Sequence, residues 1–454
     1  MKTKLMAAAA AALCVTACTS AVLWTSNITD SYVISSPLTV ASDDAGNSYQ
    51  LYTGIGALTH LRKLDPKGNE LWQQEVGWTS SSVFPLKLLT TPVGVAVGYS
   101  ELKDVLILPD TPVPSIDNMV VLGSAHLVQF DTDGTELWRT DFGAHKSDIL
   151  TDMILDDNGN LVAVLHLRGD DLQDPLNNKF SVQRFDATGI ALAQHEGMLL
   201  PDYCRPLCSS DVAIHPQGDV LFNFAGPSYT LFVRLTPDGT FPWRTAIFYP
   251  FVLPGKYTSN IDGHPNHVVA TPSGFVTSNG NSTWEYDLAG NTVWTQPFGS
   301  SIAIATDTAG NLYIPNGTTI SKLASDGTRI SDIALDGQVS IKQIEWREDL
   351  QRMIVLSEYA TTGPVVNGTI TEESGQTLFV FDAAGVKKAS YKSNYLRVTK
   401  PVCEPDTTAC GEPTSVGGER WQYFTTTTDR KIVVSGNKAQ DEEITAFAKA
   451  YRLP

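Results

Sequence analysis

The sequence predicts an all-β protein, an eight-bladed β-propeller closed by its own N-terminal strand. Three observations carry that prediction. First, a turn with Gly four residues ahead of Trp recurs at Gly68…Trp72, Gly134…Trp138, Gly239…Trp243 and Gly290…Trp294. Second, a different Asp- or Gly-bearing turn alternates with it along the chain, so that turn pairs mark off four-stranded units. Third, the Trp-bearing segment Ala21-Val22-Leu23-Trp24-Thr25 stands alone at the N-terminus, while the last unit lacks a final strand before Pro454.

Each element follows from local chemistry. Runs such as Leu127-Val128-Gln129-Phe130, Leu161 to Leu165 and Leu378 to Phe381 are short and β-branched or aromatic, and read as strands. With the strands of a unit named A to D, the first turn type joins A to B. It falls at Gly46, Gly94, Asp156 to Asn160, Gly218, Gly274, Asp307 to Asn311, Glu348-Asp349 and Thr428-Asp429. The second joins C to D, at Gly68, Gly134, Gly189, Gly239, Gly290, Gly327 and Gly385. Asp and Asn open such turns because their side chains bond the backbone two residues on, and Gly supplies positive φ. Seven units are complete. The eighth has strand B at Lys431 to Ser435 and strand C at Thr445 to Leu453, and takes its strand D from around Trp24. Such closure leaves no exposed edge. A seven-bladed ring is the competing count, because the sixth unit is short.

The N-terminus reads as a leader, residues 1–17, ahead of one propeller domain over residues 18–454. Lys2 and Lys4 precede the apolar run Leu5 to Leu13, too short to span a bilayer. Val15-Thr16-Ala17-Cys18 then resembles a bacterial lipobox, which implies lipidation at Cys18. The competing reading is an ordinary signal peptide cleaved near Ala17. Thr19 in place of Asp points to outer-membrane sorting. Four cysteines remain beyond Cys14 and Cys18, paired in sequence as Cys204 with Cys208 and Cys403 with Cys410. In an exported chain they read as two local disulfides. A metal site is the alternative, but no His lies beside either pair.

The formal charge is −17, and −19 once Lys2 and Lys4 leave with the leader. That excludes nucleic acid as the expected partner. His264-Pro265-Asn266-His267 is the one close His pair, and nothing nearby completes a ligand set. Asp131-x-Asp133 and Asp156 to Asn160 look faintly like calcium loops but lack the further acidic ligands. No nucleophile elbow or His/Cys/Asp constellation is present. The expectation is therefore no enzyme, no metal and no cofactor.

The stretch Leu127 to Val164, LVQFDTDGTELWRTDFGAHKSDILTDMILDDNGNLVAV, resembles the repeat of bacterial exported β-propellers of the SBBP and PQQ-like groups. A lipid-anchored eight-bladed propeller is also similar in plan to the lipoprotein of the outer-membrane β-barrel assembly machine. These resemblances imply an assembly or protein-interaction module whose partner is an outer-membrane or periplasmic protein.

Loop lengths predict the working face. A–B and C–D turns share one face and are tight. Insertions fall on the other face, at Glu101 to Asn118, Gly169 to Asn178, Thr361 to Gln376, Pro201 to Ser210, Phe248 to His267 and Tyr391 to Trp421. Long loops on a rigid scaffold are where binding concentrates. Tyr249, Phe251 and Tyr257 form the aromatic candidate binding loop; the alternative is that they fold back and plug the ring. Tyr203 and Arg205, within the first cysteine loop, are a second candidate. A small apolar ligand at an outer-membrane uptake system is one alternative function, and a propeller lactonase, lyase or quinone-dependent oxidoreductase another. The closure also predicts that Cys18 emerges on the tight-turn face, placing the elaborated face away from the membrane.

Overall fold

The computed structural model describes residues 22–28, 39–53, 58–78, 86–107, 119–143, 145, 147–169, 178–199, 211–225, 229–248, 267–278, 282–299, 304–364, 369–393, 396–401, 414–416, 419–440 and 443–454. Eight antiparallel sheets follow one another along the chain, and seven of them have four strands. The first strand of each is Thr39–Ser42, Lys87–Thr91, Ser147–Leu155, Val212–Ile214, His267–Thr271, Ala305–Thr306, Ser340–Arg347 and Glu419–Thr426. Successive first strands touch one another round the ring, so they line the axis. Between the last two blades, Gln343 Nε2 donates to the Phe424 carbonyl at 3.0 Å and its Oε1 accepts from the Phe424 amide at 3.1 Å. The protein is an eight-bladed β-propeller, and the seven-bladed count falls.

The closure is the one expected. Val22–Asn27 lies antiparallel to Glu443–Arg452, pairing Val22 with Tyr451 and Asn27 with Phe447. The N-terminal strand thus supplies strand D of blade 8. Arg62, on strand C of blade 1 (Leu58–Leu64), is 1% exposed and reaches back across this seam. Its guanidinium donates to the Ser26 and Asn27 carbonyls at 3.3 and 3.4 Å and to Gln50 Oε1 at 2.8 Å. Gln50 in turn donates to the Phe447 carbonyl at 2.9 Å. Burial lowers the Arg62 pKa, and Glu70 at 3.7 Å opposes that shift. The seam is a buried polar clasp in which donors meet acceptors, as burial demands.

The recurrent Gly and Trp meet between blades, not within one. Trp72 of blade 1 lies under the C–D turn of blade 2, where a Cβ on Gly134 would stand 2.8 Å from the indole. Gly134 also sits at φ +86°, so both space and backbone demand glycine. The indole N–H donates to the carbonyl of the turn's second residue: Trp24 to Pro66 at 3.1 Å, Trp72 to Thr132 at 3.0 Å and Trp138 to Ala187 at 3.1 Å. Trp243 and Trp294 do the same to Leu288 and Ser325 at 3.4 and 3.3 Å. A cation often reinforces the same acceptor. Lys63 Nζ donates to Thr132 O at 2.8 Å and Lys431 Nζ to Pro66 O at 2.6 Å.

Where the Trp position is small, the residue two further on is large. Ala193 and Ser331 occupy it in blades 3 and 6, and His195 and Ile333 then fill the space beneath Gly239 and Gly385. In blade 7 the pair is Ala389 and Tyr391. The Tyr391 ring lies 4.8 Å from that of Tyr451, and its hydroxyl donates to the Arg452 carbonyl of blade 8. That contact stands in for the C–D turn that blade 8 lacks.

The aspartates of these turns are occupied by the turns themselves. Asp131 Oδ1 accepts from the Asp133 and Thr135 amides at 2.9 and 2.8 Å. Asp287 Oδ1 accepts from the Ala289 and Asn291 amides, and its Oδ2 from the Asn291 side chain. These bonds hold both carboxyls below the usual aspartate range, by the Thr135 amide first at Asp131 and the Asn291 side chain first at Asp287. Turn chemistry accounts for the motif that looked faintly like a calcium loop.

Two outcomes test the lock. Trp72→Ala should destabilise the ring by about 2–3 kcal/mol, and Gly134→Ala by at least about 1 kcal/mol, both read from chemical denaturation. Between blades 3 and 4, a cavity of about 20 Å3 borders Ala193, His195, Val162, Val220 and Pro237. Ala193→Trp combined with His195→Thr recreates the pairing of Trp138 and Thr140. It should raise stability by about 1 kcal/mol and raise the melting temperature; a lower melting temperature would show that the site does not accept the lock.

Candidate functional site

The residues singled out from sequence, Cys18, Cys204, Cys208, Cys403, Cys410, Tyr203, Arg205, Tyr249, Phe251 and Tyr257, lie outside the described residues. The face on which most of them were expected is nonetheless defined by the strands that lead into it.

Two expected loops are strand at both ends of their described residues. In blade 2, strands B and C run Gly94–Ile107 and Met119–Asp131. Their neighbours stop early, since Lys87 pairs with Gly98 and Phe142 with Ala125. From Glu101 to Ile107 the two strands pair, among the described residues, only with each other, a two-stranded ribbon roughly 20 Å long whose base is tied to blade 3 by the Gly123 amide donating to Ser147 Oγ at 2.9 Å. A bulge between Leu102 and Asp104 marks its base. In blade 7, strands Arg352–Thr362 and Thr369–Asp382 extend likewise. Leu396–Pro401 adds beside Thr369 to Ser374, and Thr414–Val416 beside Arg397 to Thr399. The segment carrying Cys403 and Cys410 joins those two added strands. The sequence expectation of loops failed here because alternating polar and β-branched residues, such as Thr369 to Glu373, pair as readily as a blade strand does.

The axis itself carries a belt of polar side chains. Lys87, Asp152, Asp211, His267 and Tyr423 each stand four residues ahead of the residue that opens their A–B turn: Thr91, Asp156, His215, Thr271 and Thr427. They are thus one repeat position of five blades. A bulge at Thr151 sets Asp152 into place, and one at Gln422 sets Tyr423. Bulges re-aim side chains in this way.

The belt is wired in pairs. Lys87 Nζ lies 2.7 Å from Asp152 Oδ1, and the Met153 amide donates to the same oxygen at 2.8 Å. Burial pushes the Asp152 pKa up, to about 6; Lys87 opposes this and Asp211 adds to it. At Lys87 burial pulls down, but Asp152 prevails and the shift is upward. The two shifts favour opposite charge states for Asp152. The short contact favours the ion pair, so Asp152 is read as an anion that burial and Asp211 make costly. The Asp211 carboxylate Oδ2 lies 3.1 Å from His267 Nδ1 and accepts from the Val268 amide at 2.8 Å. Burial raises its pKa, but these bonds outweigh it and the net shift is downward. Nearby, His145 Nδ1 lies 2.9 Å from the buried Asp148. Among the described residues no three His, Cys, Asp or Glu side chains form a group that could hold a metal ion.

His267 belongs to the His pair marked in the sequence, and the structure gives it Asp211 as its partner. Lys87, Asp152, Asp211 and Tyr423 escaped the sequence reading. Counting four residues back from each A–B turn would have found them.

No protein-family model and no curated protein sequence matches the chain. Among solved structures it is similar to the polysaccharide lyase Uly1, at 10% identity over 95% of this chain and 100% of that one, with a TM-score of 0.43. It is similar to puromycin hydrolase at 11% identity over 89% of this chain, with a TM-score of 0.45, and spans 58% of that enzyme. The WD40 domain of Neurospora crassa Pan2 is matched at 7% identity, over 81% of this chain and 90% of that domain, with a TM-score of 0.40. No role passes from these proteins to this chain.

The ion pair across the belt makes a prediction. Lys87→Met leaves Asp152 buried without its cation. Lys87 keeps 31% exposure, so the loss should be about 2 kcal/mol, below that of a fully buried pair. Removing the cation raises the folded-state pKa of Asp152 further above its unfolded value. The penalty should therefore be full above that raised pKa and shrink as pH falls through it, in denaturation curves run from neutral to acidic pH.

Proposed function

We propose that this chain is an exported, lipid-anchored propeller that works as a protein-interaction or assembly module through the face where the strands overrun the ring. One observation carries the reading. The two long B–C hairpins project from the same face, whereas the opposite face is closed by tight turns tied to neighbouring blades. The blade 2 ribbon has, among the described residues, no third strand on either edge, and a two-stranded ribbon has little stability of its own, which suits it to pairing or packing with a partner. The proposed partner is an outer-membrane or periplasmic protein, with anchorage at Cys18. Val22 begins strand D beside Tyr451, on the tight-turn side, so an anchor a few residues upstream leaves the elaborated face free. The charged belt along the axis weighs against a small apolar ligand as the occupant of the ring's centre.

Replacing residues 103–122 with Asn-Gly joins Leu102 to Gly123, a pair already opposed, through a tight hairpin turn. The shortened chain should keep a cooperative melt, somewhat below the parent's because buried Leu122 is lost, but lose the membrane protein that the parent captures by cross-linking in intact cells. Equal capture by both chains, or none by the parent, would refute the role of this face. Incorporation of labelled palmitate, lost in Cys18→Ala, tests the anchor separately.

A further inference from the structure

We propose that Asn316-Gly317, at the tip of the B–C hairpin of blade 6, is a site of spontaneous covalent modification, where Asn316 becomes aspartate and isoaspartate on the elaborated face. This goes beyond the interaction-module reading and is independent of it, since it needs neither a partner nor an anchor.

Asn-Gly pairs occur in the chain at Asn158, Asn279, Asn316 and Asn367. Asn279 and Asn367 lie outside the described residues. The fold treats the other two differently. In the A–B turn of blade 3, the Asn158 amide donates to Asp156 Oδ1 at 2.9 Å and the Gly159 amide to the Asp156 carbonyl at 2.8 Å. Asp156 Oδ1 also accepts from the Asn160 amide at 2.9 Å. The backbone on both sides of Asn158 is thus pinned. At the tip of blade 6, strands Leu312–Asn316 and Thr319–Leu323 are joined by Gly317-Thr318 alone. Gly317 stands at φ +63°, as the first residue of a two-residue hairpin turn favours, and a Cβ there would meet nothing within 4 Å. Asn316 and Gly317 are both exposed. Among the described residues, neither the Asn316 side chain nor the Gly317 amide has a hydrogen-bond partner. Turn asparagines elsewhere are held: Asn69 and Asn311 each donate from Nδ2 to the aspartate that opens their turn, at 2.8 Å.

These conditions favour attack of a backbone amide on the side chain that precedes it. The Gly317 nitrogen, its proton taken by hydroxide, bonds to Asn316 Cγ, and ammonia leaves. Water opens the resulting cyclic imide at either carbonyl. The product is aspartate or, with the chain rerouted through Cβ, isoaspartate. Water enters and ammonia departs, with no change of oxidation state. Glycine permits the approach because it has no Cβ to crowd its nitrogen. Asn316 must leave its extended conformation to present Cγ. It is the last rung of the hairpin, paired with Thr319, and such exposed ends open at low cost. Gly159 would first have to give up a hydrogen bond. The reaction puts a new carboxylate on the elaborated face. Isoaspartate also lengthens the backbone ahead of Thr318, whose carbonyl accepts from the Leu335 amide at 2.9 Å. That bond ties the tip to the connection into blade 7, where the Val339 amide donates to the Glu358 carbonyl at 2.8 Å.

The experiment is incubation of the intact folded protein in warm, mildly alkaline buffer. Conversion at each Asn-Gly pair is followed by peptide mapping with mass spectrometry and by enzymatic methylation of isoaspartate. A parallel sample is kept unfolded in denaturant. Dividing each folded rate by its unfolded rate removes the effect of flanking residues. That ratio should be at least about fivefold larger for Asn316 than for Asn158, the cost of releasing one hydrogen bond. Asn316→Gln should abolish conversion at this position and leave that of Asn158 unchanged. The proposal is overturned if Asn316 keeps its amide in the folded protein while the unfolded chain converts, or if the ratio for Asn158 equals or exceeds that for Asn316. Partner capture does not enter this readout, so failure here would leave the role of the blade 2 ribbon standing, and the converse also holds.

Discussion

The ring depends on one contact, an indole of one blade donating to a turn carbonyl of the next across a glycine that has no side chain. Blades splay toward the outside of a propeller, so their outer strands cannot bury against one another as the inner ones do. The Trp bridges that widening gap with large area and one directed hydrogen bond. It works only if the receiving turn exposes a carbonyl and presents bare backbone. The repeat of Gly and Trp is thus a repeat of interfaces.

That constraint explains the exceptions. At blades 3, 6 and 7 the ring or aliphatic group moves two residues along the strand, to His195, Ile333 and Tyr391. Two residues along a strand is the same face one pleat further, so the interface can be filled from either position. The seam between the termini needs more than this. There Arg62 and Gln50 hold the carbonyls of the closing strands from inside the blade, and Trp24 holds the turn of blade 1 from outside.

A framework locked in this way leaves two regions for function. Strands can overrun the ring on the side away from the locked turns, as those of blades 2 and 7 do. Residues on the innermost strands can change without disturbing the outer lock, since the axis is the one place where a side chain has no opposing blade to fit. The belt uses that freedom. It places Lys87, Asp152, Asp211 and His267 where stability asks for nothing charged, and holds them with ion pairs and bulges.

Blade count, strand order, turn chemistry and ring closure were all legible in the sequence, because each rests on local rules. Asp and Gly shape a turn through their own backbone, and an unmatched Trp24 at one end answers a missing strand at the other. The partner of each Trp was not legible, since it depends on how far one blade rotates against the next. Nor could the sequence distinguish a long loop from a strand extension, because pairing is decided by the facing strand. The axial belt is dispersed from Lys87 to Tyr423, and only closure of the ring brings it together. Burial at the axis then strengthens the Lys87–Asp152 and Asp211–His267 contacts, which would be screened along an open chain.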